Sequence, residues 1–285
     1  MAKILDGKVV SSEWKKEIHK KVLELKKNGV IPFLNVFLIG DNPASVLYVK
    51  NKKKSAEEID MKCEIIHFDN DISQDRLKDE IRKKGEDKNV HGIIVQLPLP
   101  SHLNSDEVAE YVVPLKDVDG FSPYNLGRLL RGDPLFIPAT PYGILKILDY
   151  YNIKVSGKHV VVVGRSNIVG KPMAISLLLK GRDATVTICH SKTENLSKIT
   201  KEAEILIVAA GVKKLVKKDF VRKGQVVIDV GIHKEGSSWV GDVDFDEVKE
   251  IVEYITPVPG GVGPMTVAGL LANTCRAAEM FLEHG

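Results

Sequence analysis

Four consecutive valines, Val160 to Val163, run straight into Gly164-Arg165-Ser166-Asn167-Ile168-Val169-Gly170-Lys171-Pro172 and then into an apolar-faced helical stretch ending near Gly181. A β-branched run with no polar alternation fits a strand covered on both faces, as inside a parallel sheet flanked by helices. Gly164 permits a turn without a Cβ, Gly170 lets helix and strand approach closely, and Pro172 suits a first helical turn, where its missing amide proton costs nothing. Strand, tight turn and helix in this order form a unit whose free amides bind phosphate. The usual three-glycine spacing is absent, because Ser166 holds the middle position.

The same alternation extends along the chain. In the first half the patterning predicts helices over Ser12 to Lys27, Ala44 to Ile59 and Gln74 to Lys84, and strands over Leu34 to Ile39, Glu64 to Phe68 and Gly92 to Leu97. In Leu97-Pro98-Leu99-Pro100 the prolines lack the amide proton of a central ladder, so Gln96 stands at a strand's carboxyl end. Asp117 to Thr140, rich in Gly, Pro and Asp, reads as a crossover between domains, followed by a helix from Tyr142 to Tyr151. Beyond the valine strand come a helix from Lys171 to Leu179 and strands at Thr185 to Cys189, Ile205 to Ala209 and Val226 to Val230, a Rossmann-like succession. Pro257 to Pro264 reads as a rigid, glycine-punctuated loop before a helix from Val267 to Leu282. The fold class is α/β, and 285 residues favour two domains over one.

With 44% hydrophobic and 28% charged residues the chain has an ordinary globular composition. Its 41 basic and 38 acidic residues leave a net charge of +3, too mild to argue for nucleic acid. Cys63, Cys189 and Cys275 are far apart and in no metal-ligand spacing, so neither a disulfide framework nor a metal site is expected. The N-terminus has no signal-peptide pattern and no apolar run approaches about 20 residues, so the expected location is the cytoplasm, with no membrane partner.

Cofactor choice is read after the strand Thr185 to Cys189, where an NAD enzyme usually presents a carboxylate to the ribose. Here the residues are His190-Ser191-Lys192. Ser191 can hydrogen-bond a 2′-phosphate and Arg165, His190 or Lys192 can neutralise it, which favours NADP over NAD. On the helix from Ala44 to Ile59, Tyr48 and Lys52 are four residues apart and share a face. Taken alone, Lys50, Lys52, Lys53 and Lys54 read as a solvated basic surface.

Longer motifs decide between these readings. Ser45 to Lys52, Val95-Gln96-Leu97-Pro98-Leu99-Pro100, Lys116-Asp117-Val118-Asp119-Gly120-Phe121, Ile137 to Pro141, Gly164 to Pro172, and Thr256 through Gly260-Gly261-Val262-Gly263-Pro264 to Thr266 occur in this order. Together they closely resemble the methylenetetrahydrofolate dehydrogenase/cyclohydrolase (FolD) family over nearly the whole chain. The resemblance implies an N-terminal α/β catalytic, folate-binding domain (1–141) and a C-terminal Rossmann-type NADP-binding domain (142–266). A cleft is expected between them, with the C-terminal helix (267–285) packing back on the first domain. It implies NADP-dependent oxidation of 5,10-methylenetetrahydrofolate to the methenyl form and hydrolysis of that to 10-formyltetrahydrofolate, by a homodimer in one-carbon metabolism. A monofunctional NAD-dependent dehydrogenase is the alternative.

The residues accommodate that chemistry. Removing a hydride from a methylene between two nitrogens leaves a delocalised cation, and a lysine in an apolar pocket beside a cation is pushed towards its neutral form. Lys52 is therefore the expected principal catalytic residue, with Gln96 fixing its amine and Tyr48 offering an aromatic face to the substrate. Asp119 can accept two hydrogen bonds from a pterin's donor edge, with Asp117 the runner-up or a cap for the turn at Gly120. By resemblance Gly260, Gly261 and Pro264 contact substrate, while Gly164, Arg165, Ser166, Val169, Gly170, His190, Ser191, Gly211, Ile232 and Thr266 contact the cofactor. The Gly231-Ile232 backbone is expected beside the nicotinamide.

Overall fold

The computed structural model describes residues 1–284; Gly285, the last residue of the expected C-terminal segment, lies outside the described residues. In chain order the elements are β1 (Lys3–Ile4), α1 (Gly7–Lys27), β2 (Phe33–Ile39), α2 (Pro43–Glu57), β3 (Lys62–Phe68), α3 (Gln74–Glu86), β4 (Gly92–Val95), α4 (Ser105–Tyr111) and α5 (Pro123–Arg131). There follow α6 (Ala139–Tyr150), β5 (His159–Val163), α7 (Gly170–Leu178), β6 (Thr185–Cys189), α8 (Leu196–Glu202), β7 (Ile205–Val208), β8 (Val226–Asp229), β9 (His233–Glu235), β10 (Ser238–Val240), α9 (Phe245–Val248), β11 (Tyr254–Ile255) and α10 (Val262–His284). The chain forms two compact units, Met1–Ser12 with Thr140–Thr266, and Glu13–Ala139 with the chain from Val267 onward.

The first unit is built on a six-stranded sheet in the order β1-β11-β8-β7-β5-β6. Every neighbouring pair in it is parallel. β5 is an interior strand: Val160 pairs with Val186 of β6 on one side and Ile205 of β7 on the other. Val160 to Val163 are each at most 2% exposed. Burying each such side chain contributes on the order of 1.5–3 kcal/mol, which explains why a run without polar alternation takes an interior position in the sheet. From β5 the chain passes outward to β6 and returns on the other side as β7. Strand order thus reverses beside β5, where open α/β sheets bind ligands.

Residues 1–12, expected in the first domain, belong instead to this unit. Lys3 and Ile4 pair with Tyr254 and Ile255 as the sheet's outermost strand, and Leu5 N donates to Ile255 O at 2.8 Å. A two-residue strand carries no periodicity of its own; its partner defines it.

The second unit holds a three-stranded parallel sheet in the order β3-β2-β4. Phe37, Ile39 and Ile93 pack with Leu77 and Ile81 of α3 and Val108 of α4 in one buried cluster. The expected crossover Asp117 to Thr140 contains α5. Its signals resemble a loop because they are caps: Ser122 Oγ accepts from Asn125 N, Pro123 opens the helix, and Gly132 closes it at a left-handed φ of 88°. The expected loop through Pro264 ends earlier than its glycines indicate, because α10 starts at Val262 and Pro264 sits in its first turn, where no amide donor is required. On α10, Asn273 Nδ2 donates to Val118 O and Ile137 O, both at 2.8 Å. Among the described residues no helix is long and apolar enough to cross a membrane.

Candidate active site and cofactor site

In the second unit, α2 starts on Asn42, whose side chain accepts from Ala44 N at 3.0 Å and Ser45 N at 3.2 Å. The helix places Tyr48 and Lys52 one turn apart; Tyr48 is 39% exposed. Gln96 follows β4, held where its amide donates to Phe37 O at 2.9 Å. Lys52 Nζ donates to Gln96 Oε1 at 2.9 Å, while Gln96 Nε2 donates to Leu97 O at 2.6 Å. The side-chain amide is thus oriented from one end and receives the lysine at the other. Burial pushes the Lys52 pKa below the ordinary lysine value, against the opposing pull of Asp119. Burial likewise pushes the Asp119 carboxyl up to about 6, against the pull of Lys52 and aided by Asp117. The lowered lysine value favours a neutral amine, which can take a proton from water.

The two aspartates have different fates. Asp117 is buried, and its Oδ1 accepts from Gly120 N at 3.1 Å and Phe121 N at 3.3 Å. Its Oδ2 accepts from Ser122 N and Asn125 Nδ2, both at 2.8 Å. Four donors leave Asp117 little capacity for a ligand, so it is the cap of the Gly120 turn and α5. Asp119 is partly buried beside Lys52 and is the carboxylate left for recognition.

In the first unit a cavity of about 410 Å³ lies at the carboxyl ends of β5, β6 and β7. Gly164, Arg165, Ser166, His190 and Ser191 form a polar wall, and Ala209, Ala210, Val212 and Leu215 an apolar one. None of the lining residues carries a carboxylate. Gly164 has φ 130°, and a Cβ there would run into Ala209 O; one on Gly170 would run into Gly164 O. Both glycines are thus required by backbone contact.

The expected free amides at this turn are partly taken. Ser166 Oγ accepts from Val169 N at 3.1 Å and Gly170 N at 3.3 Å, so the middle-position serine occupies two amides of the turn leading into α7. His190 Nδ1 accepts from Lys192 N at 3.1 Å, which leaves Nε2 as the ring's donor.

Other expected contacts have internal explanations. Gly211, at φ 67°, uses its amide on Asp242 Oδ2 at 2.8 Å, and a Cβ on Gly231 would strike the Asp242 carboxylate. Ile232 is 46% exposed. Gly261 is buried, and a Cβ there would lie 2.6 Å from Pro257 O, while Gly260 has φ 107°. Thr266 Oγ1 lies 3.0 Å from Thr140 Oγ1. Tyr48, Lys52, Gln96 and Asp119 share one unit, whereas Gly260, Gly261 and Pro264 belong to the other, with the cavity residues. The buried carboxylates Asp229 and Asp242 stood outside the expected site. Their signal was the pair of glycines, Gly231 and Gly241, on which a Cβ would meet a carboxylate.

A Rossmann-type unit with a cavity at its switch point, and an α/β unit that holds a desolvated lysine against an oriented amide, define a two-domain nicotinamide-dinucleotide enzyme. Residues 5–119 match the catalytic-domain model of tetrahydrofolate dehydrogenase/cyclohydrolase, and residues 138–282 match its NAD(P)-binding-domain model. The chain is 51% identical over 280 residues to a bifunctional protein FolD of Streptococcus agalactiae, covering 98% of each chain. The FolD methylenetetrahydrofolate dehydrogenase/cyclohydrolase structure from Campylobacter jejuni superposes with a TM-score of 0.95 at 48% identity, covering 98% of this chain and 99% of that one. The Trypanosoma brucei enzyme, solved with NADP cofactor and inhibitor, gives 0.93 at 34% identity, covering 99% and 98%. The chain belongs to the tetrahydrofolate dehydrogenase/cyclohydrolase family.

Proposed function

We propose that this protein oxidises 5,10-methylenetetrahydrofolate to 5,10-methenyltetrahydrofolate with NADP, and hydrolyses the methenyl compound to 10-formyltetrahydrofolate. The observation that carries the proposal is the 2.9 Å hydrogen bond from Lys52 Nζ to Gln96 Oε1, on a lysine whose pKa burial has lowered. Such an amine does not oppose a cationic methenyl carbon by charge, and it is free to accept a proton.

When bound, NADP supplies the hydride acceptor for the first step. The cavity's lining suits it: Arg165 offers positive charge, His190 Nε2 a donor and Ser191 a hydroxyl to a 2′-phosphate, with no carboxylate on the wall to repel it. In the hydrolytic step Lys52 takes a proton from the water that adds to the methenyl carbon. It returns that proton to the ring nitrogen as the carbon–nitrogen bond breaks, and the hydroxyl's remaining proton is released to solvent as the formyl carbonyl forms. Gln96 keeps the amine aimed, Asp119 accepts from the pterin's ring amide and exocyclic amine, and Tyr48 packs on the substrate. Gly260, Gly261 and Pro264 contribute a close-approaching backbone to the folate side.

The enzyme works as a homodimer in the cytoplasm. β6 is an edge strand of the six-stranded sheet, Ile188 on it is 42% exposed and Leu178 of α7 is 57% exposed, which supports pairing of two copies along this edge. Three unpaired cysteines, Cys63, Cys189 and Cys275, support a reducing compartment.

The test is an assay with methylenetetrahydrofolate and NADP or NAD that follows reduced-cofactor and methenyl absorbance separately, on the wild type and Lys52→Met. The wild type turns over with NADP and hydrolyses the product. In Lys52→Met, hydrolysis falls by roughly 10²- to 10⁴-fold, the range of a lost general base, while NADP still binds. Undiminished hydrolysis in the variant refutes the role of Lys52, and no turnover with either cofactor refutes the function.

A further inference from the structure

The end of β7 carries an arrangement that no step above uses. Ala210 N and Gly211 N both point at one atom, Asp242 Oδ2, at 2.7 Å and 2.8 Å. The left-handed φ of 67° at Gly211 accompanies this convergence of successive amides, a backbone nest of the kind that takes up anions. Here the anion is the protein's own. Asp242 is fully buried, and its other oxygen lies 2.7 Å from His233 Nε2 at the start of β9.

Asp242 is itself held from behind. Its amide donates to Asp229 Oδ1 at 2.9 Å, Val243 N donates to Asp229 Oδ2 at 2.9 Å, and Val216 N donates to Asp242 O at 3.0 Å. The segment after β7 is therefore pinned along its length, and it is the segment whose Ala210, Val212 and Leu215 make the apolar wall of the cavity.

Resting on the reading of that cavity as the dinucleotide site, we propose that Asp242 is a positioning residue that fills the Ala210–Gly211 nest and thereby sets the direction of the bound dinucleotide. With the nest occupied, the only anion-attracting wall is the one bearing Arg165, Ser166, His190 and Ser191. The dinucleotide's phosphates are confined to that wall, and the apolar segment is left for a base. Without the carboxylate, two amides beside the cavity lose their partner and compete for phosphate from the wrong side.

The experiment measures the Kd of NADP by calorimetry for wild type, Asp242→Ala and Asp242→Asn, each with and without sodium formate as a small replacement anion. Asp242→Ala weakens NADP about tenfold or more, the scale of a lost charge-assisted contact. Asp242→Asn, which keeps one neutral acceptor oxygen, falls between. Formate strengthens NADP binding to Asp242→Ala and leaves the wild type unchanged, and without formate Asp242→Ala gains affinity for inorganic phosphate over the wild type, a gain that a merely structural role would not give. Wild-type affinity in Asp242→Ala, or a weakened Asp242→Ala that formate does not restore, overturns the proposal. If Asp242→Ala does not fold by circular dichroism, wild-type affinity in Asp242→Asn overturns it. Failure of the wild type to bind NADP would instead sink the dinucleotide reading on which the proposal rests.

Discussion

Lys52 and Asp119 shape each other's titration, and the sign of that coupling gives a pH prediction. Burial lowers the Lys52 pKa while Asp119 raises it, so the amine becomes neutral, and competent as a base, as pH rises through that lowered value. The hydrolytic rate should climb with pH along a limb below the ordinary lysine range and then level off. Asp119→Asn removes the one carboxylate that raises the lysine's pKa, so the limb moves to lower pH even as folate KM rises. Rate profiles of both proteins check this, and a limb that stays put or moves upward in the variant rules the coupling out. The neighbouring aspartate predicts nothing of the kind, because its four donors commit it to the turn. Two carboxylates separated by one residue look alike in a sequence. Which of them is spent on the backbone depends on how Gly120 to Asn125 folds back, and that lies beyond any local pattern.

Among the elements, α2 depends on a single side chain at its start. Asn42 supplies both amides of the first turn with an acceptor, so Asn42→Ala should lower stability by about 1 kcal/mol, read as a shift of the urea midpoint at unchanged slope. A midpoint equal to wild type would mean that water replaces the cap without loss. The elements readable from sequence were those with enough length to show a period or a continuous apolar run: β5 and β6 emerge with their expected ends at Val163 and Cys189, and α3 with its expected start at Gln74. Those missed, β1, α4, α5, α8, α9, β11 and the β9–β10 hairpin, are short or begin and end in the Ser, Pro and Gly that also mark loops. In the candidate site the lysine, glutamine and dinucleotide turn were legible because each sits at an element's end or on a helix face. The Asp229 and Asp242 knot was not, since its partners come from three separate stretches of chain.

For the whole molecule, the exposed edge at β6 bears on the assembly. Ile188→Lys places a charge on an edge that pairs with only one strand of its own sheet, and should turn a dimer into a monomer in sedimentation velocity without loss of secondary structure. A wild-type monomer, or a variant that remains dimeric, removes this edge from the interface. A second consequence comes from the path of the chain, which changes unit after Ser12, after Ala139 and after Thr266. No single continuous gene fragment encodes either unit. A truncation at residue 139 would strand β1 away from β11, and a clone of 140–266 would lack that edge strand and everything before it. Anyone wishing to graft the cofactor half onto another enzyme must splice two separate pieces, and a lineage that shuffles domains by joining open reading frames end to end can inherit this one only as a whole.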